Sequence, residues 1–232
     1  MMRRERERNE NTMKKKTGKR PEGELRSDYD LSKLKGSVRG KYVARYRAGT
    51  RQHKAHTQLG RAAVQIFAAN ERMNQILIEH LDPAAWRAKP PGKARSIAAI
   101  FTHMHNVRTK WVRLTAPHLK VPRQLHRSDC TPQQARAGLA ESAARCAEML
   151  AEALGGGGRV EKFLRDGWAR PWPVGVEMLC YMLSHEAHHR GQVCMLAHQL
   201  GFPLPIEVTS GIWNWQKLWK ECGSPGGPGV DS

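Results

Sequence analysis

Nowhere in its 232 residues does the chain hold an apolar run close to the ~20 residues needed to cross a bilayer, so no transmembrane helix is expected. The basic start MMRRERERNENTMKKKTGKR passes into more polar residues and not into an apolar core segment. It does not read as a secretory signal, and a cytoplasmic location is expected. No C-x-x-C pair occurs among the five cysteines, Cys130, Cys146, Cys180, Cys194 and Cys222, which are scattered and odd in number. A disulfide framework or a zinc ribbon is thereby excluded, leaving ordinary reduced thiols. Alternating apolar and polar residues of the kind that make a sheet are also missing. What remains is a soluble chain with enough residues for one substantial core.

The net charge is +18. Its distribution matters more than its size: residues 1–56 hold 18 Lys and Arg against 7 Asp and Glu, and the remainder 21 against 14. A strongly basic chain raises nucleic acid as a partner. Here the excess sits in the first segment, so only that segment invites the reading. Residues 1–24 carry almost no large apolar side chains and are expected to be disordered. Residues 24–50 interleave Tyr and Leu with bases, and resemble a short segment of antitoxin-like small bacterial proteins. They read either as a docking or nucleic-acid-binding peptide or as a solvated basic tail, including upstream sequence joined through a misplaced start.

From about His56 the apolar spacing becomes helical. A first helix carries Leu59, Ala63, Ile66, Phe67, Met73, Ile76 and Leu77 and ends before Asp82-Pro83. A second starts at Ser96, a cap or first-turn residue, and is closed by Pro117. Thr131 followed by Pro132 opens a third, and Gly155 to Gly158 end it. A fourth is expected from about Val174 to Leu200, with Gly201 and Pro203 beyond. Four long helices predict an all-α fold, an up-and-down or related four-helix bundle over residues 56–222. A basic, largely disordered extension (1–55) precedes it and a flexible tail (223–232) follows. Trp213, Trp215 and Trp219 are expected to cover an open end or side of the bundle.

Four of the eleven histidines fall within SHEAHHRGQVCMLAHQLG, residues 184–201. With each helical residue advancing about 100°, Met178 and Leu196 lie within about 20° of His185, and His189 about 40° away. His185 and His189 therefore share the apolar stripe. His188 falls on its edge at about 60°, and Glu186 about 100° off, so neither is aimed as well at the core. On the second helix His103 shares its face with Ile100, Met104, Val107 and Trp111, whereas His105 points elsewhere with Arg108 and Val112. A single buried His is usually a hydrogen-bonded core residue. Three that converge from two helices form a set with positions left open, which suits a catalytic divalent metal.

The elements Ser96-Ile97…Phe101-Thr102-His103 and His185-Glu186-Ala187-His188-His189-Arg190-Gly191-Gln192 resemble the DinB/YfiT-like superfamily, damage-inducible metal-binding four-helix bundles, over roughly residues 56–220. The resemblance implies that His103, His185 and His189 are metal ligands for one divalent cation (nickel, zinc, manganese or iron) and that the bundle is a homodimer. It also implies a thiol or other small-molecule substrate, in the manner of relatives that are thiol-dependent isomerases and transferases. A hydrolase is a further expectation, and a metal-stabilised binding module whose basic segment contacts nucleic acid or an acidic partner is the alternative. No catalytic residue stands out. Asn106 and Arg190 read as groups that orient ligands or face a partner, or else as ordinary polar surface contacts.

Residues 185–189 also satisfy H-E-x-x-H of zinc proteases. The longer metzincin pattern fails, because Gln192 and Met195 stand where a glycine and a histidine are required. Glu207 follows two prolines and not a new helix, and no strands precede the motif to hold a peptide.

Overall fold

The computed structural model describes residues 43–90, 92–167 and 170–223. Most of the expected N-terminal extension and nearly all of the C-terminal tail lie outside the described residues. From Arg45 onward the described residues form one unit. It is built from four long helices, α1 (Val43–His80), α2 (Ile97–Thr115), α3 (Pro132–Leu154) and α4 (Val176–Gln199), followed by the short α5 (Ile206–Thr209) and α6 (Trp215–Glu221). Helix α1 begins at Val43, upstream of the start expected near His56. Charged and small residues can extend a helix whose apolar face begins later, so periodicity marks the packed part and not the first turn. Among the described residues no helix is long and apolar enough to cross a membrane.

The helix ends follow local chemistry. Ser96 caps α2 by accepting from the Ala99 amide at 3.3 Å. At α3, Thr131 and Gln134 form a reciprocal capping box: the Gln134 amide donates to Thr131 Oγ1 (3.1 Å) and the Thr131 amide to Gln134 Oε1 (2.8 Å). Helix α4 ends in a Schellman turn in which Gly201, at φ 84°, lets the Phe202 amide reach Ala197 O (2.9 Å) and its own amide reach His198 O (3.1 Å). Phe202 then packs on the core beside Ala197.

Two apolar clusters fill the bundle. One gathers Leu77 of α1, Phe101 and Met104 of α2, Leu139 of α3 and Leu196 of α4, and the other Phe67, Trp111, Leu150 and Met178 from the same four helices. The chain directions follow from these groupings. Helices α2 and α3 run parallel, both starting in the first cluster and ending in the second, while α1 and α4 run opposite to them. The architecture is up-down-down-up, the related alternative to a simple up-and-down bundle.

Parallel neighbours need a return crossover, and residues 116–131 supply it. Asn106 grips it from α2, donating to Leu125 O and accepting from the Leu125 amide, both at 2.9 Å. His105 completes the clamp: Nε2 faces Arg123 O (2.9 Å), while Nδ1 faces Gly138 O (2.8 Å) on α3. Asn106 is therefore no ordinary surface contact.

Among the described residues strands are confined to one small ladder. Lys162–Phe163 (β1) pairs antiparallel with Trp172–Pro173 (β2) between α3 and α4. Leu164 hangs from the end of α2, its amide donating to Thr115 Oγ1 at 3.0 Å. The tryptophan expectation holds in part. Trp219 packs on the core with Leu218, but Trp213 is 71% exposed and covers little.

Candidate metal centre

Between the two apolar clusters lies a polar layer contributed by all four helices. At its centre Glu186 of α4 is fully buried. Its carboxylate accepts from Arg108 Nε (2.6 Å) at Oε1, and from Arg108 Nη2 (2.6 Å), Asn70 Nδ2 (2.5 Å) and Asn74 Nδ2 (2.8 Å) at Oε2. Arg108, also fully buried, donates from Nη1 to Leu139 O (2.9 Å), and the same nitrogen pairs with Glu71 at 2.6 Å. Arg190 donates to the Asn70 and Asn74 carbonyl oxygens, at 2.5 and 3.1 Å, turning both amides toward Glu186.

Burial alone would push the Glu186 carboxyl up, but the Arg108 guanidinium more than reverses this and holds it below the usual carboxylate range. Glu186 is thus a core residue, against the expectation from helical phase. Helix α4 packs against α1 as well as α2, so its buried arc is wider than one apolar stripe.

Next to this layer stand the histidines, His185 adjoining Glu186 in the chain and His189 about one turn further along α4. His103 of α2 and His185 and His189 of α4 present nitrogens that all lie within 4.8 Å of one another, a cluster that could hold a metal ion. His185 Nε2 and His189 Nε2 are 3.2 Å apart. Two imidazole donors on a tetrahedral cation, each about 2.0–2.1 Å from it, would be about 3.3 Å apart. The geometry fits.

The protonation pattern fits too. Gln192 Oε1 accepts from His189 Nδ1 at 2.7 Å, which leaves the His189 Nε2 lone pair facing His185. Burial, followed by the charge of neighbouring His189, pushes His103 down to about 4. Burial and then His189 and His103 do the same to His185, also to about 4. Burial likewise lowers His189, outweighing the Gln192 hydrogen bond that favours its charged form. Near neutral pH all three rings are uncharged and offer lone pairs. The buried Nδ1 of His185 has no hydrogen-bond partner.

His188 is exposed and lines a neighbouring cleft; its ring meets that of His189 edge to face at 5.1 Å but is not part of the three-nitrogen cluster. His105 is fully buried in the backbone clamp and also stands apart. Aromatic rings close one end of the cluster. Trp111 meets His185 edge to face at 5.3 Å, Tyr181 lies 5.8 Å beyond, and the β1–β2 turn adds Phe163 and Trp172. Arg165 sits over the Tyr181 ring at 5.5 Å.

The zinc-protease reading gains nothing from this arrangement. Its glutamate would act on a water beside the metal, whereas both carboxylate oxygens of Glu186 are committed to Arg108 and two asparagines. Glu207, in α5, is exposed. Thiol chemistry finds no nucleophile in Cys130 or Cys146, which are buried and whose thiols burial pushes up.

The residues missed by sequence reasoning are Asn70, Asn74, Glu71 and Arg108. A signal existed: Phe67, Asn70, Asn74 and Leu77 follow three- and four-residue spacing, so two asparagines interrupt an apolar stripe. No curated protein and no solved structure matches the chain. The family model described as "DinB family" matches residues 54–214, which include both histidine-bearing helices and the whole polar layer beneath them. On that match, the chain belongs to the DinB family.

Proposed function

We propose that His103, His185 and His189 bind one divalent cation, and that the bundle is a metal-dependent enzyme of thiol-dependent transferase, isomerase or hydrolase type. The observation that carries this reading is the pair of facing Nε2 atoms 3.2 Å apart, with His103 beside them. A cation held by three neutral imidazoles supplies Lewis acidity that makes a bound water or thiol a stronger acid. The chain's own residues prepare the site: Gln192 fixes the His189 tautomer, and Trp111 and Tyr181 keep water from one end. Zinc, nickel, iron and manganese all accept imidazole, and the donor set does not select among them.

Elemental analysis of purified protein tests the ligand set. His103→Ala, His185→Ala and His189→Ala should each lose most of the bound metal, and His188→Ala should keep it. His105→Ala should keep its metal per folded chain while lowering the thermal midpoint, because the buried ring that ties the crossover to α3 is lost. Metal that survives His189→Ala and vanishes in His188→Ala would overturn the assignment. A screen for thiol-dependent and hydrolytic turnover with metal-loaded protein then addresses the enzyme.

A second reading is supported by the charge of residues 1–56: a metal-stabilised bundle that presents its basic segment to nucleic acid or an acidic partner. Self-association into a homodimer and a cytoplasmic location complete the proposal.

A further inference from the structure

Beside the histidine cluster, at the end opposite the aromatic rings, an open cleft of about 700 Å³ runs between the loop that precedes α2 and the outer face of α4. Lys93 and Arg95 of the loop line one side, and His188, Gln192, Met195 and Gln199 the other. Gln192 joins the two regions, since its Oε1 holds the His189 ring. The cleft therefore borders the proposed metal ligands through Gln192, although none of the three histidines lines it.

Its electrostatics are one-sided. No described acidic residue lines it. Among the described residues no carboxylate forms an ion pair with Lys93 or Arg95, whereas the cations at the other end of the site, Lys110 and Arg113, share Asp166 at 3.0 and 3.9 Å. Arg95 is close enough to weigh on both His103 and His189. The start of α2, immediately after Arg95 and the Ser96 cap, adds the positive pole of a 19-residue helix. The guanidinium fork matches a carboxylate or a phosphate in two parallel hydrogen bonds, and the ammonium adds a second charge without fixed geometry. Cations left unpaired in a cleft attract anions and raise their local concentration.

We propose that this cleft takes a small molecule bearing a carboxylate or phosphate, held by Lys93 and Arg95, with its other end turned toward His103, His185 and His189. The inference deepens the metal-site reading and rests on it for the role of that other end. Anion capture itself needs only the two cations.

Calorimetric titration of the full chain at low ionic strength, with inorganic phosphate and with malonate as separate probes, tests it. Wild type should bind at least one probe, and the tighter of the two identifies the anionic group. Lys93→Met combined with Arg95→Met should weaken that binding at least tenfold with metal content unchanged. His189→Ala should lose metal and keep the probe affinity within about threefold, so failure of the metal reading is visible separately. Arg61→Ala, which removes a cation beside Gly155 on another face, should leave binding unaltered. Absence of binding by wild type, an equal loss in Arg61→Ala, or a loss in His189→Ala without one in the double variant would each overturn the proposal.

Discussion

Glu186 shows how far one side chain can depart from its sequence neighbourhood. It lies beside His185 in the chain, yet its carboxylate is taken up by Arg108 of α2 and by Asn70 and Asn74 of α1. A buried carboxylate and guanidinium offset their desolvation only when hydrogen bonds satisfy them, as those from Arg108, Asn70 and Asn74 satisfy both oxygens of Glu186. Removing one partner leaves the other charge stranded. Glu186→Gln is expected to destabilise the fold by about 3–5 kcal/mol, the range for breaking a buried pair. Urea unfolding would measure it, and a loss below about 1 kcal/mol would show that Glu71 alone satisfies Arg108. The pH dependence has the matching sign. Because the folded carboxyl is held below its unfolded range, its contribution is fully present above the unfolded value of about 4.3 and lost as the pH falls through the folded one.

At the scale of the element, the crossover between the parallel helices α2 and α3 is the segment most dependent on side chains. Residues 116–131 contain no helix or strand. Asn106 replaces that missing regularity by pairing with both polar groups of Leu125, as a neighbouring strand would. Asn106→Ala should therefore cost about 1–3 kcal/mol and speed amide exchange in the crossover. Exchange confined to wild-type rates would mean that His105 and Trp86, which also bond its backbone, suffice. Helix positions were legible in the sequence because caps and stops are local chemistry: Ser96, Thr131 with Gln134, and Gly201 each behave as their residue types require. The phase of His103, His185 and His189 was legible for the same reason, since the structure places them on facing surfaces of α2 and α4. The polar layer was not. Its partners are up to 120 residues apart, and a stripe of one helix cannot reveal which charges lie opposite.

For the whole molecule, the described surface leaves Met195, Ile206 and Trp213 exposed at 60%, 67% and 71%. Large exposed apolar groups suit contact with another protein surface. On the proposed reading, light scattering at several concentrations should report a dimer for the full chain and equally for residues 56–232. The shortened chain should also keep the thermal midpoint, because the first described buried residues of α1 are Gly60 and Ala63. A strict monomer would remove the dimer, and a large fall in midpoint would show that residues 1–55 support the bundle. Salt-sensitive nucleic-acid binding that disappears with those residues would favour the second functional reading.

Helix α3 is rich in alanine, and small uniform side chains discriminate poorly between one vertical alignment of neighbouring helices and the next. The layer of Asn70, Asn74, Arg108 and Glu186 supplies that discrimination. Sliding α4 by one turn along α1 would carry Glu186 about 5.4 Å from its asparagines and leave Arg108 buried against hydrocarbon. Apolar contacts would partly re-form in the shifted arrangement, whereas the ionic ones would not. The layer thus acts as a vernier for the bundle: it fixes the height of α4 against α2, and with it the level at which three imidazoles from these two helices meet.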